Sequence, residues 1–235
     1  MEGQPAESTN ESVEPSVVEL GLEPGLERII FFSDAVFAIA MTLLVIDLRP
    51  PDVVGQLTEQ PYLAALGDLI PKILAYLLSF AVIGLYWLAH WRRYHYIVRA
   101  NELLAGLNLL LLGAIAFIPF PTALIGAQGH RPIVVVIYAS TLALAGILGT
   151  ITWLYANRAG LARPGLSPEY VRLAAWRGLS VPIVTLASLA FLPFVGPFAV
   201  EMSWLLIFVV QAVISRRFRG VTPETGSATG PAAES

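Results

Sequence analysis

Long apolar runs, separated by short charged connections, occupy most of this chain of 235 residues. A helix that crosses a bilayer needs about 20 predominantly apolar residues, whereas the strands of a membrane barrel are much shorter. The Pro- and Gly-containing stretch LPFVGPFAVE, between the last two runs, is typical of a tight hairpin turn. The pattern predicts an all-α, polytopic membrane protein with six transmembrane helices, at residues 29–48, 69–91, 103–126, 133–157, 173–193 and 198–215.

The composition agrees with a membrane protein. Hydrophobic residues make up 56% of the chain and charged residues only 13%, and the mean hydropathy is +0.71. A soluble domain has roughly twice that charged fraction. Cysteine is absent, so disulfides and thiolate metal sites are excluded.

Charge divides the chain into three parts. Residues 1–27 contain seven Glu and no Lys or Arg, and their richness in Glu, Pro, Ser and Gly predicts a disordered acidic cytoplasmic tail. All 14 basic residues lie in residues 28–219, which form the predicted six-helix transmembrane domain. Residues 220–235 are predicted to form a second disordered tail. The net charge of −3 therefore averages acidic tails with a basic body.

The basic residues predict the orientation of the chain in the cell membrane. In multi-pass proteins, connections rich in Lys and Arg stay on the cytoplasmic side. Eleven of the 14 bases fall on one side of the predicted spans, which places both termini in the cytoplasm: Arg28, Arg92, Arg93, Arg99, Arg158, Arg163, Arg172, Arg177, Arg216, Arg217 and Arg219.

Acidic residues populate the opposite side. Asp47, Asp52, Glu59, Asp68 and Glu201 all fall at predicted outer ends or loops. Carboxylates at a membrane mouth concentrate cations. The same distribution also arises if acids occupy outer loops merely because bases are kept inside, and both interpretations remain open.

The first predicted span has two different faces. On a helical wheel, Ile39, Thr42 and Ile46 lie within about 60° of one another, whereas Asp34 lies about 140° from Ile39. The span therefore combines an aliphatic stripe that includes one threonine with a polar flank that contains Ser33 and Asp34.

Partners for the polar flank occur at matching depth in the next two spans. His90 and Trp91 end the second span, and Asn108 lies near the start of the third. Ionisable groups inside a bilayer normally face protein or water. A buried hydrogen-bonded network of these groups would pin the helices together, or it would handle ions or protons directly.

Signals for other functions are weak. His90 and His95 lack the glutamate of a zinc motif, and WRRYHY is typical of an interfacial anchor of aromatic and arginine side chains rather than a nucleic-acid patch. The sequence has no phosphate-binding glycine loop, serine-hydrolase elbow or plausible catalytic triad. We therefore expect neither an enzyme nor a cofactor-binding or nucleic-acid-binding protein.

Two stretches resemble a known family. RIIFFSDAVFAIAMTLLV contains an R-x-x-x-F-S-D motif made by Arg28, Phe32, Ser33 and Asp34, and YWLAHWRRYHYIVRANELLAGLNLLLLGAIAFIPFPTALIG follows as the second and third spans. Both are similar to the transmembrane protein 175 family, which comprises the endolysosomal potassium channel and its prokaryotic relatives. The resemblance covers residues 28–126, and the later spans match mainly in number and length. Trp91 departs from the pattern, because the family often has a polar residue after the histidine.

The resemblance implies a passive potassium-selective channel without a carbonyl-lined filter loop, and no TVGYG-like segment occurs here. It implies that the first helix of each subunit in a homotetramer lines the pore within membrane lipid, with a hydrophobic constriction at Ile39 and further pore residues at Thr42 and Ile46. It implies no cofactor and no bound metal ion other than the potassium that passes through the pore. The residues that stabilise the pore helix from behind would be Arg28, Ser33, Asp34, His90 and Asn108.

Two alternatives stay open. A secondary transporter could couple transport to protons through Asp34, and a membrane scaffold would conduct nothing. Transporters usually have internal repeats and broken helices at mid-membrane. The later spans contain no second copy of the motif, and the first span has no Gly or Pro. The sequence thus favours the channel.

Overall fold

The structure is a computed structural model that describes residues 23–50, 66–217 and 220–223. Within these ranges, the β-type pairing is one isolated bridge between Ile97 and Ala162. The all-α prediction is confirmed. The helices are α1 (Pro24–Leu43), which continues as a 3-10 turn (Leu44–Asp47), α2 (Ile70–Tyr94), α3 (Glu102–Phe117), α4 (Pro119–Gln128), α5 (Pro132–Arg158), α6 (Pro168–Leu189), α7 (Leu192–Ser203) and α8 (Leu206–Arg217).

Capping and proline set many of the helix boundaries. The Asn101 side chain accepts the backbone N–H of Leu104 at the start of α3, and the Ser167 hydroxyl accepts that of Tyr170 at the start of α6. Pro119 begins α4, because a proline has no N–H to continue the hydrogen bonding of α3. The third predicted span is therefore two consecutive helices.

Four segments are long and apolar enough to cross a membrane: Pro24–Asp47, Ile70–Tyr94, Glu102–Gln128 and Pro132–Arg158. The pair α7 and α8 offers a fifth, although it bends by 57° within the predicted span 198–215. Helix α6, which contains most of the predicted fifth span, is not among these segments and carries Glu169, Arg172 and Arg177 in its first half. The count of six spans therefore remains a prediction.

The region between α6 and α8 differs from the predicted hairpin turn. All of LPFVGPFAVE belongs to α7, which is kinked at Gly196, where φ is 78° and ψ is 169°. Trp204 follows α7 and is fully buried. Its ring stacks on Tyr138, and its indole N–H donates to Ser188 Oγ at 2.8 Å. This packing holds the bent pair against the core.

The described residues reach into both predicted tails, whose bounds remain predictions. Helix α1 begins at Pro24, and Leu26 in its first turn is buried in a cluster that includes Trp153. At the other end, the backbone N–H of Ser167 donates to the Pro223 carbonyl at 2.8 Å. Residues 1–22 and 224–235 lie outside the described residues, as do Asp52 and Glu59.

Helix α5 lies at the centre of the fold and α1 at its edge. Within the subunit, 61% of the apolar membrane-spanning stretch of α5 is buried. For the corresponding stretch of α1, the value is 22%. Gly146 allows α6 to approach α5 closely, since an added Cβ would come within 2.6 Å of the Pro182 ring. The fold therefore leaves most of the apolar surface of α1 uncovered by its own chain.

Candidate functional site

Helix α1 has one buried face and one exposed face. Leu26, Ser33, Phe37 and Ala40 are buried, and their spacing places them on one side of the helix. The predicted pore residues are on the other side, where 57% of Ile39 and 58% of Ile46 are exposed and Thr42 is exposed as well.

The exposed stripe is continuous although the helix type changes. Leu44–Asp47 form a 3-10 turn, which advances by about 120° per residue instead of about 100°. With this change, Ile46 still lies within roughly 40° of Ile39 around the axis. Ile39, Thr42 and Ile46 therefore share one face of the subunit.

The Thr42 hydroxyl is oriented by its own helix. Its Oγ1 donates a hydrogen bond to the Ile39 carbonyl at 2.9 Å. Because the proton is committed to that carbonyl, the hydroxyl oxygen retains its lone pairs as acceptors. This exposed oxygen has the polarity of a cation ligand.

A buried hydrogen-bonded relay lies behind the stripe and joins α1, α2 and α3. His90 Nε2 donates to Asn108 Oδ1 at 3.0 Å, and Asn108 Nδ2 donates to Ser33 Oγ at 2.9 Å. Ser33 Oγ in turn donates to the Ile29 carbonyl at 2.7 Å. All three side chains are buried. We call Ser33, Asn108 and His90 the anchor relay, because they connect α1 to both neighbouring helices.

Asp34 and Arg28 are placed outside the anchor relay. Asp34 Oδ1 accepts the indole N–H of Trp87 at 2.9 Å, at an exposed position. The expectation that Trp91 belongs to the network is wrong, because that side chain is 57% exposed and Trp87 provides the indole one turn earlier. Arg28 is exposed, and within the described residues no hydrogen bond joins it to the relay.

Arg93 is a buried residue that the interpretation of WRRYHY as an interfacial anchor missed. Only 8% of Arg93 is exposed, and its Nη2 donates to the Ala174 carbonyl at 2.9 Å. The guanidinium lies against Gly149 and Gly178: a Cβ at Gly178 would collide with it, and a Cβ at Gly149 would lie 3.1 Å from its Nη1. Those two glycines were the available sequence signal.

A second polar cluster joins α2, α4 and α5. Ser79 Oγ lies 2.8 Å from Thr122 Oγ1 and 2.7 Å from the Tyr138 hydroxyl. Since Thr122 donates its proton to the Ile118 carbonyl, Ser79 donates to Thr122 and Tyr138 donates to Ser79. In the part of the chain that the structure describes, no group of three His, Asp or Glu residues could hold a metal ion.

Comparison with known proteins gives a consistent result. The sequence profile of the family described as endosomal/lysosomal potassium channel TMEM175 matches residues 28–119. A potassium channel of Streptomyces collinus is 34% identical over 139 residues, which are 57% of this chain and 65% of that protein. The endosomal/lysosomal proton channel TMEM175 of Rattus norvegicus is 34% identical over 131 residues, which are 54% of this chain and 26% of the rat protein.

A solved structure covers more of the chain. The crystal structure of a lysosomal potassium-selective channel TMEM175 homolog from Chamaesiphon minutus matches with a TM-score of 0.66 and 28% identity, over 83% of this chain and 98% of the other. The curated relatives are covered over less than two thirds of their own length. Residues 28–119, which the family profile matches, contain the R-x-x-x-F-S-D motif of α1 and the whole anchor relay. Residues 28–119 are thus similar to the TMEM175 family of ion channels, and the fold is similar to that of a TMEM175 homolog.

Proposed function

We propose that the protein is a passive potassium-selective channel whose pore is lined by α1 from each subunit. The observation that carries this proposal is the two-sided burial of α1. Its polar face is held inside the subunit by the anchor relay, while the stripe of Ile39, Thr42 and Ile46 is exposed. Only 22% of the apolar membrane-spanning stretch of α1 is buried within the subunit, so its exposed side is free to face neighbouring copies of the chain.

A single helix cannot enclose a water path, so the pore requires several copies of the chain. Closed cyclic symmetry is the usual arrangement of identical subunits. We propose a homotetramer, as the family resemblance implies, with four copies of α1 around the axis. Ile39 side chains would then meet one another across the axis.

Ile39 would form a hydrophobic constriction. An aliphatic ring has no oxygen to replace the hydration shell of an ion, so it acts through diameter and dewetting. Thr42 lies one turn further toward the proposed outer side, where its hydroxyl oxygen would help a permeating ion to regain coordination. Because potassium sheds water at lower cost than sodium, a narrow apolar ring followed by weak oxygen ligands favours potassium. Ile46 would add a second aliphatic ring beyond Thr42.

The remaining motif residues would position the pore helix rather than contact the ion. On the buried side of α1, Ser33 accepts a hydrogen bond from Asn108 of α3, which in turn accepts one from His90 of α2. Asp34 adds a hydrogen bond from α1 to Trp87 of α2. Arg28 is exposed near the start of α1, and we assign it a stabilising role at this end of the helix.

The channel would lie in the cell membrane with both termini in the cytoplasm. The support is the concentration of eleven of the 14 basic residues on one predicted side. No cofactor is required by this mechanism, and potassium is the permeant ion.

Proton conduction is a second candidate, favoured by the name of the rat relative, a proton channel. Purified protein in liposomes distinguishes the candidates. Current that reverses near the potassium equilibrium potential supports the potassium channel, and current that follows the proton gradient supports the proton channel. Slow, saturable potassium flux that requires a proton gradient supports a secondary transporter. A non-conducting scaffold gives no flux.

Cross-linking tests the arrangement of subunits. A cysteine at Ile39 should form disulfide-linked dimers under mild oxidation, because symmetry mates face each other across the pore. The matched control is Leu110→Cys, an exposed apolar position on α3. If Ile39→Cys reacts only with lipid-soluble probes and never with another subunit, α1 does not line the pore.

A further inference from the structure

Three arginines come together at the end of the bundle where α2 stops. Arg92 and Arg93 lie in the last turn of α2, and Arg177 lies in α6. Arg93 and Arg177 line two adjoining cavities, each of about 20 Å³, and Arg92 lines one of them. A cavity of this size holds one water molecule or one oxygen atom of a larger group.

The positive charge of this cluster is not balanced by acidic side chains. Arg92 interacts electrostatically with Arg177, and Arg93 interacts with Arg92. Within residues 23–50, 66–217 and 220–223, the hydrogen bonds of Arg93 and Arg177 do not involve a carboxylate, and the electrostatic partners of Arg92 and Arg93 are arginine and tyrosine side chains. Like charges at a partly buried site repel one another and disfavour the folded state.

The surrounding groups offer these arginines fewer hydrogen-bond acceptors than the arginines have N–H donors. Arg177 Nη2 donates to Ser215 Oγ at 3.2 Å, but the buried Arg177 Nε has no acceptor among the described residues. Arg93 makes one side-chain hydrogen bond, to the Ala174 carbonyl. An unpaired buried donor costs about 1–3 kcal/mol, so the site calls for an additional acceptor.

We propose that Arg92, Arg93 and Arg177 form a binding site for a phosphate group. A phosphate supplies the missing negative charge, and its oxygens match the planar donor forks of guanidinium groups. One oxygen would enter the cavity between Arg93 and Arg177 while the rest of the group stays at its mouth. The source is an anionic lipid headgroup or free phosphate, and basic pockets between membrane helices on the cytoplasmic side are typical headgroup sites.

Thermal unfolding of the purified protein in non-ionic detergent tests the site. The probes are a short-chain phosphatidic acid, sodium phosphate at the same concentration, and sodium chloride. We expect the first probe to raise Tm, because a ligand that binds only the folded state stabilises it. An equal rise with sodium phosphate identifies free phosphate as the ligand, and a rise with the lipid alone identifies the headgroup.

Glutamine variants test the residues. Arg177→Gln and Arg92→Gln should each weaken the apparent affinity by about tenfold or more, since each loses a charge-assisted contact. Arg158→Gln, at an exposed position at the same end of the bundle, should bind as the wild type does. Without any ligand, the two cluster variants should be at least as stable as the wild type, because they lose like-charge repulsion.

Four results would overturn the proposal. These are no stabilisation of the wild type by either phosphate probe, equal stabilisation by sodium chloride, equal stabilisation of the double variant Arg92→Gln/Arg177→Gln, or a marked loss of ligand-free stability in both cluster variants. None of them depends on ion conduction, so the site is tested independently of the proposed channel.

Discussion

Replacing Asn108 by leucine removes the centre of the anchor relay at nearly constant side-chain volume. His90 Nε2 then loses its acceptor in a buried position. A buried donor without a partner costs about 1–3 kcal/mol. Ser33 adds little to this cost, because it still donates to the Ile29 carbonyl. We therefore expect Asn108→Leu to lower stability by about 2 kcal/mol and Tm by about 4–8 °C for a chain of this size.

The assay is thermal unfolding in detergent, followed by circular dichroism, within a double-mutant cycle. His90→Phe removes the donor that Asn108→Leu leaves unpaired, and a phenyl ring can retain the stacking of His90 on Tyr94 at 4.1 Å. The double variant should therefore lose less stability than the sum of the single variants, with a coupling energy of about 1 kcal/mol or more.

Conduction provides the second measurement of the same variants. If the anchor relay only positions α1, the folded fraction of Asn108→Leu should retain the wild-type reversal potential. The reasoning is refuted if Asn108→Leu melts together with the wild type, if the two single variants are strictly additive, or if selectivity changes in a fully stable protein. That last result would place the relay in the ion path.

Three further predictions follow from the same contacts. Thr42→Ala should lower the preference for potassium over sodium while conduction continues, and an unchanged reversal potential would contradict the role of its oxygen. Asp34→Ala should cost about 1 kcal/mol in thermal unfolding, less than Asn108→Leu, because it loses one hydrogen bond at an exposed site; a larger loss would show a further partner. Gly178→Ala should destabilise the protein by about 1–3 kcal/mol, because the added methyl group collides with Arg93. The control Gly106→Ala, which has open space around it, should not be destabilised. Equal Tm values for the two variants would refute the collision.

The polar motif residues could be grouped from the sequence, but not all of their pairings could. Ser33, His90 and Asn108 are brought into contact as the pattern of polar residues in apolar spans indicates. The partner of Asp34 could not be chosen, because Trp87 and Trp91 lie four residues apart on one helix face. The hydrogen bond goes to Trp87, and helical periodicity does not specify how far α1 and α2 are displaced along their axes.

The breaks between helices also differ in whether a local sequence signal marks them. Pro119 is a local signal for the end of α3, although the predicted span 103–126 continued through it. The break between α7 and α8 has no proline or glycine at Trp204, and it depends on the packing of that side chain against Tyr138. The burial of Arg93 depends likewise on glycines in two other helices. Such features arise from tertiary contacts, which a single helix pattern does not encode.

The central claim is that the exposed stripe of α1 lines a pore that Ile39 closes. The most direct test is current through purified Ile39→Asn channels in planar bilayers, with Leu110→Asn as the control that places the same amide on an exposed residue of α3. We predict that Ile39→Asn raises the resting current, because an amide wets the constriction, and that Leu110→Asn conducts as the wild type does. Wild-type current from Ile39→Asn, in a folded protein, would contradict the account.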